Sequence, residues 1–235
     1  MRNGQYHSVR EVMDVLRKQQ VKYLVLRNYD NLLSDDMYMD GHCDLDCLCA
    51  DSHHMSDILG AKVYTNKPKQ VCNDGTHFYI LIGGQEVSLD LRHVGDGYYC
   101  EKWQRDMLAR RVEHNGFYVM AQEDYFYSLI YHAILQKPRL SDEYRQRLSR
   151  MAAEVGFAQK TYMEKELIGL LEAFMQKNGY TYTYPVDTFV PLHTRYISKR
   201  LITPNRQLAW EHWKFDTRVA FWHFLVCVKH MNFKL

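Results

Sequence analysis

The chain reads as an α+β protein, with a strand-bearing N-terminal half and a helical C-terminal half. Three observations predict this. Short apolar or alternating runs bounded by turn residues recur between residues 23 and 91, as strands require. Two of these runs are joined by Gly83-Gly84, which reads as a hairpin turn. From about residue 121 the apolar residues recur at helical spacing instead. The change of period divides the chain into a domain over residues 1–120 and a helical domain over 121–235.

Ser8 is placed to cap a helix over residues 8–19, because Val9, Val12, Met13, Val15 and Leu16 follow at helical spacing. Tyr23-Leu24-Val25-Leu26 is a short apolar strand ending at Arg27-Asn28. Residues 29–41 are polar, acidic and irregular. Residues 44–49 form a strand with unusual content: Asp44 and Asp46 project to one face, and Leu45, Cys47 and Cys49 to the other, since strand residues two apart share a face. Ser52 then caps a short helix to Leu59. Lys62–Thr65, Phe78–Ile82 and Glu86–Leu91 read as further strands. In the last of these, Val87, Leu89 and Leu91 share one face, while Glu86, Ser88, Asp90 and Arg92 share the other. The turn Gly95-Asp96-Gly97 precedes a helix near 101–110, and a hairpin centres on Asn115-Gly116. Helices follow over 121–136, stopping before Pro138, then over 141–154 and 163–177, with Gly179 at the last stop. Residues 180–206 carry Pro185, Pro191 and Pro204 and read as irregular. A final helix spans about 215 to 230.

Composition bounds what the chain does. Hydrophobic residues at 46% and charged residues at 25% match a folded globular protein. A net charge of +2, with no basic stripe, argues against a long nucleic-acid partner. The six cysteines do not fall into paired zinc-ligand spacings, and three of them sit in or beside the acidic strand, so reduced thiols and a cytoplasmic setting are expected. No apolar signal core opens the chain. The longest apolar stretch, residues 219–228, is too short for the roughly 20 residues of a transmembrane helix and reads as a buried or interfacial helix. The four tryptophans are expected in the core, His53-His54 at the surface, and Lys137 as a helix-end charge.

The informative chemistry is acidic. Asp is depleted in strands, yet Asp44, Asp46 and Asp90 all stand in them. Two carboxylates held together repel unless a cation lies between them or one is protonated. Three such groups on neighbouring strands, which lie about 5 Å apart, would form a site for Mg2+ or Mn2+, ions that favour oxygen ligands. Arg27 and Asn28, at a strand end, stand where loops commonly supply ligand contacts.

The order helix, strand, Gly41-His42-Cys43-Asp44-Leu45-Asp46, then Asp90 in Ser88-Leu89-Asp90-Leu91, resembles the DNA polymerase beta-like nucleotidyltransferase superfamily. That superfamily carries a Gly-Ser turn, Asp-x-Asp on a strand and a third Asp on a later strand. The resemblance covers about the first 95 residues by motif and 121–150 more loosely. It implies a mixed sheet with flanking helices followed by a helical domain, with Asp44, Asp46 and Asp90 as metal ligands and catalytic residues. Here Gly41-His42 stands where the family has Gly-Ser, so Gly41, His42, Arg27 and Asn28 are the residues left to hold the nucleotide phosphates. The short spacing looks closest to antibiotic nucleotidyltransferases and a phosphocholine transferase-like branch, and residues 23–32 look like members found beside bacterial surface-polysaccharide genes. The implied activity is transfer of a nucleotidyl or phospho-alcohol group from a nucleotide donor to a small-molecule or glycan hydroxyl. The alternatives are a non-catalytic nucleotide- or partner-binding module of the same fold, and a toxin–antitoxin-type nucleotidyltransferase.

Overall fold

The first helix, α1 (Val9–Lys18), begins where Ser8 accepts a hydrogen bond from the Glu11 amide at 3.3 Å, and its apolar stripe Val9, Val12, Met13, Val15 and Leu16 is buried. A computed structural model describes residues 3–30, 32–33, 44–64 and 76–232. Its strands are β1 (Gln5–Tyr6), β2 (Tyr23–Val25), β3 (Asp44–Cys49), β4 (Lys62–Val63), β5 (His77–Ile82), β6 (Gln85–His93), β7 (Val112–His114) and β8 (Phe117–Val119). They form one mixed sheet in the order β1-β5-β6-β3-β2-β8-β7, with β4 on β5. The other helices are α2 (Ser52–Leu59), α3 (Glu101–Arg110), α4 (Gln122–Leu135), α5 (Asp142–Glu154), α6 (Glu164–Asn178) and α7 (Arg206–Asn232).

β3 is central, paired parallel with β6 and antiparallel with β2. One face of the sheet packs Leu45, Cys47, Cys49, Val87, Leu89 and Leu91 against α1 and against Met55 and Leu59 of α2. The opposite face packs Leu24, Leu26 and Leu48 against α3 to α6, through residues such as Trp103, Phe126, Ile130, Leu148 and Leu171. Helix thus lies on both faces of a mixed sheet, and the second core draws on residues from both sides of position 120.

Most elements stand where the sequence places them, and the differences have local causes. Asp51 rather than Ser52 caps α2: its backbone is extended, as an N-cap requires, and its carboxylate accepts from the His54 amide at 3.0 Å. β4 ends at Val63, and Thr65 lies outside the described residues. α7 begins nine residues earlier than expected, because Asn205 caps it through Leu208 (3.0 Å) directly after Pro204. Only Trp103 is a core tryptophan: Trp210, Trp213 and Trp222, all on α7, are more than half exposed. Residues 180–205 are irregular apart from a short 3-10 turn at Lys199–Leu201 and a bridge between Tyr182 and Ile202.

Candidate functional site

Burial changes along one face of β3. Asp44 is exposed, Asp46 half-buried and Leu48 fully buried, although all three share that face. The helical layer covers the sheet at Leu48 and leaves a cleft of about 370 Å³ over the acidic end. Pairing of β3 with β6 sets Asp46 opposite Asp90 and Asp44 opposite Ser88. Since neighbouring strands lie about 5 Å apart, Asp46 and Asp90 sit side by side on the cleft floor, with Asp44 one step along the same face.

Arg27 follows the end of β2, held there by the Leu26 amide donating to the Asp46 carbonyl at 2.9 Å. Its guanidinium bonds Asp46 at 2.8 Å, the Tyr98 hydroxyl at 2.9 Å and His132 Nδ1 at 3.0 Å. Burial acts against the charged guanidinium, but Asp46 and the neighbouring tyrosines outweigh it and hold Arg27 charged. A guanidinium only donates, so His132 Nδ1 is an acceptor and the neutral ring carries its proton on Nε2. Burial first, and Arg27 second, lower the His132 pKa to about 2. The Gln136 side-chain amide lies 2.9 Å from the same Nδ1. Asn28 adopts a left-handed backbone at φ 56° at the cleft edge.

A second chain of polar contacts fixes Asp90. His77 Nδ1 lies 2.7 Å from Asp90, and its Nε2 lies 3.2 Å from Asp187, which also accepts from Arg92 at 3.1 Å. Arg92 stacks over the Tyr98 ring at 4.7 Å. Burial raises the Asp187 pKa, but the bonds from His77 and the charge of Arg92 prevail and lower it. Asp187 in turn accepts from the Phe189 amide at 3.0 Å, shaping the turn that puts Phe189, Val190 and Pro191 on the wall of the cleft. Lys137 and Tyr144 complete the far side.

The structure therefore gathers Asp44, Asp46, Asp90, Arg27 and Asn28 around one cleft. Gly41 and His42 lie outside the described residues. Among the described residues, no three His, Cys, Asp or Glu side chains converge in a metal-ready arrangement; Asp46 is turned to Arg27, and Asp90 to His77. Several cleft residues escaped the sequence reading. Arg92 was legible, two residues from Asp90 on the same face. His77 was legible too, because the Gly83-Gly84 turn sets the β5–β6 register that places it opposite Asp90. Lys137 reads as a mere helix-end charge in sequence but lines the cleft. Asp187, His132 and Phe189 have no local signature; their positions depend on how the C-terminal layer docks. Compared with family models, with curated proteins and with solved structures, the chain matches none.

Proposed function

We propose that this protein is a metal-dependent transferase of nucleotidyltransferase fold, moving a nucleotidyl or phospho-alcohol group from a nucleotide donor to a hydroxyl of a small molecule or glycan. The observation that carries this reading is the pairing of Asp46 with Asp90 on adjacent parallel strands, with Asp44 on the same face, at the floor of a cleft rimmed by Arg27, Arg92 and Lys137. An all-carboxylate donor set facing a cleft suits a hard cation such as Mg2+ or Mn2+. Asp44, Asp46 and Asp90 would hold it, and when bound it would draw charge from the transferring phosphoryl group.

The chain's own residues supply the rest. Asp90, oriented by His77, is the base placed to take the proton of an acceptor hydroxyl. Arg27, released from Asp46, becomes a donor to phosphate oxygens, for which its planar fork is suited. Lys137 adds positive charge at the opposite rim, and Phe189 offers an apolar wall to the organic part of a ligand.

One observation favours the second reading, a non-catalytic module of the same fold. Arg27 already neutralises Asp46, and His77 already bonds Asp90. Thermal denaturation across a panel of nucleoside triphosphates, with and without Mg2+ or Mn2+, separates the two. A ligand at a hundred times its Kd stabilises by about 2.7 kcal/mol, which for a chain of this size raises Tm by about 5–10 °C. The transferase reading expects such a rise only with metal and nucleotide together, and its loss in Asp44→Asn and Asp46→Asn. A metal-independent shift that survives both substitutions establishes the binding module instead.

A further inference from the structure

Among the described residues, the contacts of the C-terminal helix α7 with the body of the protein come from its first turns. His212 is buried and its Nε2 lies 2.7 Å from the Pro185 carbonyl, and the Phe215 ring packs on Phe189 at 4.6 Å. Beyond Phe215 every residue from Asp216 to Phe221 is exposed. The exposed residues include large apolar ones: Phe221 at 61%, Phe224 at 62% and Leu225 at 47%.

These residues do not make a single stripe. At 3.6 residues per turn, positions two apart point about 200° from each other, so Val219 and Phe221 face opposite sides of the helix. Phe224 and Leu225 widen the Phe221 side. A second copy or a folded partner laid along such a helix covers one side and leaves the other wet. A helix that is apolar all round needs an apolar medium around it.

The charge pattern selects that medium. From Thr217 to Leu235 the chain carries Arg218, Lys229 and Lys234 and no Asp or Glu. The ten-residue run Val219–Val228 spans about 15 Å as helix, half of a hydrocarbon core about 30 Å thick. No described helix is long and apolar enough to cross a membrane. Trp210 and Trp213, stacked at 4.6 Å and both exposed, lie at the base of the segment, at the level where amphipathic aromatic rings favour a headgroup region.

We propose that the distal part of α7, from about Arg218 onward, inserts into one leaflet of an anionic lipid bilayer and holds the protein at its surface. Aromatic and aliphatic side chains enter the acyl boundary, and Arg218, at the end of the apolar run nearer the body of the protein, pairs with anionic headgroups.

Flotation of the full chain with vesicles tests this. Binding to phosphatidylglycerol-rich vesicles is expected to exceed binding to phosphatidylcholine vesicles by about tenfold or more at low salt, and to weaken as salt rises. Phe221→Ser with Phe224→Ser should reduce flotation to background without changing the melting temperature, since both side chains are exposed. Arg218→Gln alone should weaken binding to anionic vesicles about fivefold, the effect of one basic residue at such a surface. Brominated acyl chains should quench tryptophan fluorescence in the wild type and not in the double variant. The proposal fails if the wild type does not float with anionic vesicles, or if the double variant floats as well as the wild type. A wild type that stays off vesicles and sediments as a dimer, which the double variant converts to monomer, assigns the segment to contact between copies.

Discussion

Arg27 binds three side chains at once, and one of them, His132, sets a pH dependence. An unfolded imidazole titrates at about pH 6.5, whereas His132 in the fold titrates at about 2, through burial and then the charge of Arg27. Between those limits the unfolded chain binds a proton that the native chain refuses. Stability contributed by the neutral ring is therefore complete above about pH 6.5 and falls with acidification by up to about 1.4 kcal/mol per pH unit. His77 has the opposite sign. Burial lowers its pKa, but Asp187 and Asp90 outweigh that and raise it, so its contribution is full below about pH 6.5 and is lost as pH rises through the folded value. Urea denaturation at a series of pH values should show His132→Asn flattening the acid limb between about pH 6 and 4. An acid limb unchanged in His132→Asn assigns the slope to other groups. At this scale the acidic residues were legible in sequence, because Asp in a strand is conspicuous. Of their partners, His77 was legible from the hairpin register, but nothing in the sequence says that Arg27 meets Asp46.

At the scale of elements, residues 180–205 are the irregular stretch that the prolines foretell, yet they are pinned to the sheet and to the turn that follows β6. The first point is Asp187 against Arg92 and His77. All three are buried, so Asp187→Asn leaves Arg92 without its carboxylate and should cost about 3 kcal/mol or more in chemical denaturation. Cleft ligands should weaken with it, because Phe189 takes its position from the same carboxylate. The second point is the turn before α3, where the Val186 amide donates to the Asp96 carbonyl at 2.8 Å and the Thr183 hydroxyl to that of Gly97 at 2.8 Å. Gly97 has φ 74°, and a Cβ there would stand 2.4 Å from the Tyr184 carbonyl oxygen. Gly97→Ala should cost about 2 kcal/mol or more, from both the left-handed backbone and the collision with main chain. Gly95→Ala, with open space around its Cβ, should cost less, and an equal loss at the two positions would show that the collision is relieved. The glycines marked a turn in the sequence. Only the approach of Tyr184, about ninety residues away, shows why one of them has no room for a side chain.

For the whole molecule, the two halves of the chain share a core. Leu24, Leu26 and Leu48 on the sheet pack with Trp103 and with α4 to α6. Residues 1–120 expressed alone would expose that side of the sheet to water, and such a patch favours association. The fragment is expected to aggregate or to lack a cooperative transition by circular dichroism, whereas the full chain, apart from the distal part of α7, should unfold in one step. A monomeric fragment with a sharp melt would establish that the sheet and its first helical layer suffice. The sequence by itself determined most element positions, the faces of their side chains and the acidic character of the site, because side-chain period, caps and turn residues act over a few positions along the chain. Tertiary structure alone decided that Asp46 stands directly opposite Asp90, that Arg27 occupies Asp46, that Asp187 holds the cleft wall, and that the aromatic residues of α7 face outward. Those outcomes follow from strand order and from the docking of one layer on another, which bring together residues far apart in sequence and have no local period to record them.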